Sequence, residues 1–417
     1  MKLTKKIIAA ALAGCLSLAA QTSVATDLVP YFYTWGFGNN AYQATSLMQA
    51  KSQAGVDGAT LAFGISGGGC TLGGGLEQTI NDPIFNKDVQ QFVVSGGKVV
   101  LSFGGASGQY LESTCSEADL LALLRRVVTS LQIYNLDFDV EGSQLELPAL
   151  NNTRHHVLAA LQQQYPQLTV SFTLPVMPEG LPTGAMTLLT SARNAGVNIN
   201  VVNIMAMDYG SGYTAMGSHA VSAMTNTQAQ LKTLFPTKTD AQLWAMIGVT
   251  PMIGRNDVST ETFTQADARM VTDFAKSKQI GRVSYWALQR DQVGTGSLAL
   301  YSTINASNYE FYKIFAAVKG SSSSSSSAAS SSSSSKSSSS SSVSSSSSSK
   351  ASSSASSSSS ASSGTCNVWK EGVYYAVGTV VTYNGVTYTT LQSHTAWVGA
   401  NWTPSATPAL WNVGGRC

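Results

Sequence analysis

The chain has 417 residues, of which only 11% are charged, and its formal net charge is +2. No basic cluster follows the first few residues, which argues against a nucleic-acid partner. Ser, Thr, Gly, Asn and Gln supply the polarity instead, a surface suited to a neutral, hydroxyl-rich ligand.

The chain opens with Lys2, Lys5 and Lys6, an apolar run from Ile7 to about Ala20, and the small-residue site Ser23-Val24-Ala25. This pattern predicts a secretory signal peptide over residues 1–25 and a secreted, extracellular protein. The run is too short to span a bilayer and no second one follows, so no transmembrane span is expected. The rival reading is a lipoprotein signal in "LAGC", which would anchor the chain to an outer membrane through Cys15. The apolar run continues past it through Leu16 and Leu18, which favours ordinary cleavage.

From 27 to 319 one theme repeats: a β-rich apolar run, a polar or Gly-rich loop, then an amphipathic stretch. The runs are "LVPYFYTW", "GATLAFGI", "KVVLSFGG", "YNLDFDVE", "LTVSFTLP", "VNIMAMDY", "LWAMIGVT" and "RVSYWALQ". Helical patterns such as "EADLLALLRRVVTSLQIY" and "TQADARMVTDFAKSK" lie between them. Eight βα units predict a (β/α)8 TIM barrel.

The fourth run carries an anomaly. Asp137, Asp139 and Glu141 alternate with Leu136, Phe138 and Val140, so on a strand the three acids share one face. In a barrel that face points to the axis, where ionised carboxylates need partners or must take up protons. Crowded carboxylates cannot all ionise, so one holds its proton near neutral pH and can act as a general acid. Glu141 is nearest the C-terminal mouth, where barrel enzymes place their chemistry. A calcium loop would need Glu at its twelfth position, where Pro148 stands. No metal site is expected elsewhere, since the cysteines are far apart and the adjacent His155 and His156 would point in different directions, as solvated surface residues.

Residues 321 to 363 are almost wholly Ser and cannot bury enough apolar surface to order, which predicts a disordered linker. Beyond it, 365–417 has no helical period. "GTVVTYN" and "VTYTTL", joined at Asn384-Gly385, predict a small antiparallel β module. Besides Cys15, the cysteines are Cys70, Cys115, Cys366 and Cys417. The linker between the second and third makes Cys70–Cys115 and Cys366–Cys417 the economical disulfides among three possible pairings.

"LDFDVE" resembles the Asp-x-Asp-x-Glu core of glycoside hydrolase family 18 chitinases, in which the Glu donates the proton. Three further elements resemble that family in its own order: "LSFGG", "MAMDYG" and the Trp of "YWALQRD". The fuller motif has an Asp where Tyr134 stands and a Tyr where Met207 stands; Tyr209 follows Asp208 instead. The resemblance implies substrate-assisted hydrolysis with retention, in which the sugar's own acetamido oxygen attacks and no cofactor or enzyme nucleophile is needed. Glu141 would be the acid, Asp139 would orient the acetamide, and Asp137 would tune Asp139. Asp208, Tyr209, Met205, Trp286, Tyr31 and Trp35 would bind substrate. The tail resembles chitin-binding modules of carbohydrate-binding family 5/12, with Trp397, Trp402, Trp369 and Tyr375 as candidate chitin-binding residues. The implied partners are chitin and chito-oligosaccharides, acted on by a monomer. An endo-β-N-acetylglucosaminidase is the alternative, and a non-hydrolytic chitin lectin a weaker one.

Overall fold

The computed structural model describes residues 25–319 and, with gaps, 367–415. The signal segment with Cys15, the Ser-rich stretch, and Cys366, Trp397, Trp402 and Cys417 lie outside the described residues.

All eight apolar runs contain strands. The first strand is in two pieces, Asp27–Leu28 and Tyr31–Tyr33. The others are Gly58–Ser66, Lys98–Gly104, Asn135–Asp139, Thr169–Pro175, Ile199–Met205, Ile247–Thr250 and Arg282–Val283. Each pairs in parallel with the next, and the first piece of the first strand pairs with the eighth strand. The amides of Val29 and Tyr31 donate to the carbonyls of Val283 and Tyr285 at 3.0 and 3.1 Å, which closes the sheet into a barrel. The sheet is parallel, as a fold with helical crossovers requires.

Capping residues fix the helices that were expected. Helix Glu117–Leu131 starts at Ser116, whose hydroxyl accepts the Asp119 amide, and stops where Gln132 turns left-handed. Helix Gln265–Lys278 begins with a reciprocal box between Thr264 and Asp267. Helix Pro148–Gln164 corrects the reading of its two histidines. His156 is exposed, but His155 is fully buried, edge-on to Phe172 with Nδ1 3.0 Å from the Ser191 hydroxyl. A residue on the sheet-facing side of this helix must be buried whatever its polarity, and burial lowers the imidazole pKa to about 3, leaving it neutral.

On the fourth strand, Leu136, Phe138 and Val140 face outward into the main core. Phe103, Phe138 and Phe172 lie in register on three neighbouring strands, with ring centroids 5.4 and 6.2 Å apart. Burying each such ring contributes roughly 2–3 kcal/mol, which helps offset the cost of acids on the inner face.

The tail forms a four-stranded sheet from Asn367–Val368, Val380–Tyr383, Val386–Thr390 and Trp411–Val413. Asn384 and Gly385 both have positive φ, 50° and 78°, and join Tyr383 to Val386 in the two-residue turn expected of that pair. One pairing departs from the antiparallel expectation, because Asn367–Val368 runs parallel to Val381–Thr382. Trp369, Tyr375, Val381, Tyr388 and Trp411 make the core of this module.

Candidate active site

Alternation along the fourth strand puts Asp137 and Asp139 on the barrel axis, 0% and 3% exposed. Strand register sets Ser102 and Ser171 beside Asp137, and Gly104 and Thr173 beside Asp139. Asp137 collects five donors. Its Oδ2 accepts from Ser102 at 2.9 Å and from Tyr31 at 3.2 Å, and its Oδ1 accepts from Ser171 at 2.6 Å. Thr173 lies 2.9–3.0 Å from both oxygens, and the buried Arg282 guanidinium lies 3.5 Å from Oδ1. Such a set stabilises a buried carboxylate and fixes its orientation.

Asp139 is in a different position. Its Oδ1 has no hydrogen-bond donor among the described residues. Burial pushes its carboxyl well above the usual range, and the charges of Glu141 and Asp137 push in the same direction. It sits within hydrogen-bond reach of Glu141, so the two carboxyls can hold one proton between them. Glu141 itself is pushed up to about 7, first by burial, with Asp139 lowering it and the charge of Asp208 raising it. The stack therefore runs from a well-partnered acid at the bottom to a proton-holding carboxyl at the mouth.

Aromatic residues surround this column. Trp286 is flanked by Tyr33, Tyr31 and Phe63, with centroids at 4.8, 5.6 and 5.9 Å. Tyr31 is only 1% exposed, and its hydroxyl reaches Asp137 and Thr173, so it supports the acids from inside the barrel. Trp35 is 53% exposed and lies flat on Tyr33 at 4.7 Å. Met205 closes the sixth strand and is partly buried. Asp208 takes a left-handed conformation, φ 52°, and accepts the Val258 amide at 2.8 Å. Tyr209 turns its ring to Tyr213 and His219, at 5.5 and 6.1 Å, and its buried hydroxyl has no partner among the described residues. The structure thus gathers Asp137, Asp139, Glu141 and Tyr31 in one network, with Asp208 beside Glu141, while Tyr209 packs against helix Met216–Leu234.

Sequence reading missed Ser171, Thr173, Arg282 and Tyr110. Arg282 alone left a signal, a cation opening an apolar strand in a chain poor in charge. Tyr110 lies in the loop after "LSFGG", and its hydroxyl is 2.9 Å from the Asp139 carbonyl and 3.1 Å from the Glu141 amide. The glycines of that element have a steric cause. A Cβ on Gly104 would stand 2.2 Å from the Asp139 carbonyl oxygen, and φ there is 101°.

In the module, Trp369 and Tyr375 are 9% and 5% exposed and help form its core. A ring enclosed this way serves stability rather than a sugar platform, which corrects the expectation for these two residues. Cys70 and Cys115 form the expected disulfide.

A chitinase catalytic domain from the hyperthermophile Pyrococcus furiosus superposes with a TM-score of 0.61 at 28% identity, covering 71% of this chain and 97% of that one. The barrel is similar to that chitinase domain. A probable bifunctional chitinase/lysozyme of Escherichia coli is 35% identical over 240 residues, 53% of this chain and 27% of that protein. Endochitinase 11 of Metarhizium anisopliae is 35% identical over 246 residues, 56% of this chain and 47% of its own length. The chain therefore spans about a quarter and about half of these two chitinase relatives. Residues 368–412 match the carbohydrate-binding module family 5/12.

Proposed function

We propose that this protein is an exported chitinase that hydrolyses β-1,4 linkages between N-acetylglucosamine residues. The observation that carries the reading is the buried column of carboxyls on the barrel axis, ending in a Glu141 that holds its proton to about pH 7. Glu141 donates that proton to the glycosidic oxygen. Asp139, within reach of Glu141, orients the substrate's acetamido group and stabilises positive charge on the ring formed when its oxygen attacks the anomeric carbon. Asp137 stays fixed by its donors and holds Asp139 in place. Water, giving a proton to the Glu141 carboxylate, then attacks the anomeric carbon and opens the ring, and two inversions give net retention. Only an N-acetylated sugar can react in this way.

The chitinase relatives and the module matched at the tail support the same substrate class. The Cys70–Cys115 disulfide fits an oxidising compartment outside the cytoplasm.

Incubation with chitin and with soluble chito-oligosaccharides tests the proposal, with a high-mannose glycoprotein as the comparison. The expected result is N-acetylglucosamine oligomers that first appear as the β-anomer. Release of glycans from the glycoprotein with chito-oligosaccharides left intact would overturn it.

A further inference from the structure

The fourth strand ends at Asp139, so no strand ladder fixes the amide of Glu141. The amide finds a side chain instead. Tyr110 Oη accepts the Glu141 N–H at 3.1 Å and lies 2.9 Å from the carbonyl oxygen of Asp139 and 3.0 Å from that of Gly105. A phenol has one hydrogen, so it donates to one carbonyl at a time while its oxygen accepts from Glu141. Both peptide planes flanking Val140 meet this hydroxyl; the first is also held by the Val140 amide on the Thr173 carbonyl and the Gly105 amide on the Asp139 carbonyl, each at 3.0 Å, whereas the Glu141 amide has the hydroxyl.

The loop that delivers this hydroxyl is itself tied down. The Gln109 carbonyl accepts the Ser66 amide at 2.7 Å, and Thr114 bonds to the Ser66 hydroxyl at 3.1 Å. Glu112 pairs with the buried Arg154 at 3.1 Å, and Cys115 is bonded to Cys70 in the loop after the second strand. The Tyr110 ring fills the space that a Gly104 side chain would occupy.

Taking the function proposed above as its basis, we propose that Tyr110 is a positioning residue: its hydroxyl aims Glu141, and the Cys70–Cys115 bond holds the loop that carries it. Freed from this clamp, Glu141 would swing away from its place against Asp139 and gain water. The charged and titratable groups around Glu141 are Asp139 at the end of the fourth strand, Tyr110 itself on the loop after the third, and Asp208 on the loop after the sixth. Behind them stand Asp137, Tyr31 of the first strand and Arg282 of the eighth. A hydrated Glu141 would give up its proton more readily, so the alkaline limb of the rate profile would move to lower pH.

The test is Tyr110→Phe, which keeps the ring and removes only the hydroxyl, assayed on a soluble chito-oligosaccharide across pH with a thermal melt alongside. The expected result is a kcat lower by about 10- to 100-fold, a KM within about twofold of the parent, and an alkaline limb moved acidward. Removing the disulfide by Cys70→Ala with Cys115→Ala should move the same limb, and should move it no further in the Tyr110→Phe background. A folded Tyr110→Phe with parental kcat and limb would overturn the proposal, as would additive effects of the two changes. Should Tyr110→Phe fail to fold, a parental limb in the disulfide-free variant would overturn it. A parent that leaves chito-oligosaccharides intact would refute the reading of function instead.

Discussion

Glu141 and Asp139 bind protons more tightly than free carboxyls because the fold denies them water, and two measurable effects follow at the level of single residues. Glu141→Gln keeps the shape and removes the transferable proton, so turnover should drop by at least 10²- to 10⁴-fold while oligosaccharide binding survives. A loss of under tenfold would place the donor elsewhere. The second effect is on stability. Both carboxyls bind protons more tightly folded than unfolded, so the folded state holds more protons above their ordinary range and stability falls as pH rises from about 4 toward 7 and beyond. Asp139→Asn removes that penalty. Its melting temperature should exceed the parent's at pH 8 and match it near pH 4. Equal melts at both values would mean that Asp139 is not held protonated.

Elements show where sequence was legible and where it was not. Period-two alternation placed the acids on one strand face, and Asn384-Gly385 placed a hairpin, because both signals are local. His155 went wrong because helix Pro148–Gln164 lays that position against the sheet, which no neighbouring residue announces. Ser171, Thr173 and Arg282 converge on Asp137 from strands that are distant in sequence, and only the closed barrel brings them together. The glycines of "LSFGG" could be read as a motif, yet their cause, a carbonyl and a phenol ring in the space of a side chain, needed the fold. Gly104→Ala should therefore lower the melting temperature by several degrees and activity with it, whereas Gly142→Ala, where no atom lies within 4 Å, should cost only what its φ of 53° demands. Equal losses would refute the steric account. In the module, Trp369→Ala should remove chitin binding by unfolding, at a cost of about 3–5 kcal/mol, so its melt and its binding should vanish together. Lost binding with an intact melt would restore Trp369 as a sugar contact.

For the whole molecule, the barrel completes its hydrogen-bonded sheet within residues 27–319, and among the described residues Asp137 takes its donors from the barrel's own strands. Removing residues 320–417 should leave cleavage of soluble oligosaccharides within about twofold and weaken attack on insoluble chitin, where the module adds local concentration. Undiminished degradation of solid chitin by the shortened chain would remove the module from the account. Closure of the barrel has a temporal consequence. The first strand divides its pairing, with Asp27–Leu28 on the eighth strand and Tyr31–Tyr33 on the second, so the segment made first waits for the segment made last. A polypeptide emerging from its ribosome passes through a stage in which seven strands are present with open edges at both ends. Such edges invite pairing between molecules. Chains halted before Gly281 should accordingly clump, and release of the final strand, rather than of any helix, should be the moment at which they become resistant to protease.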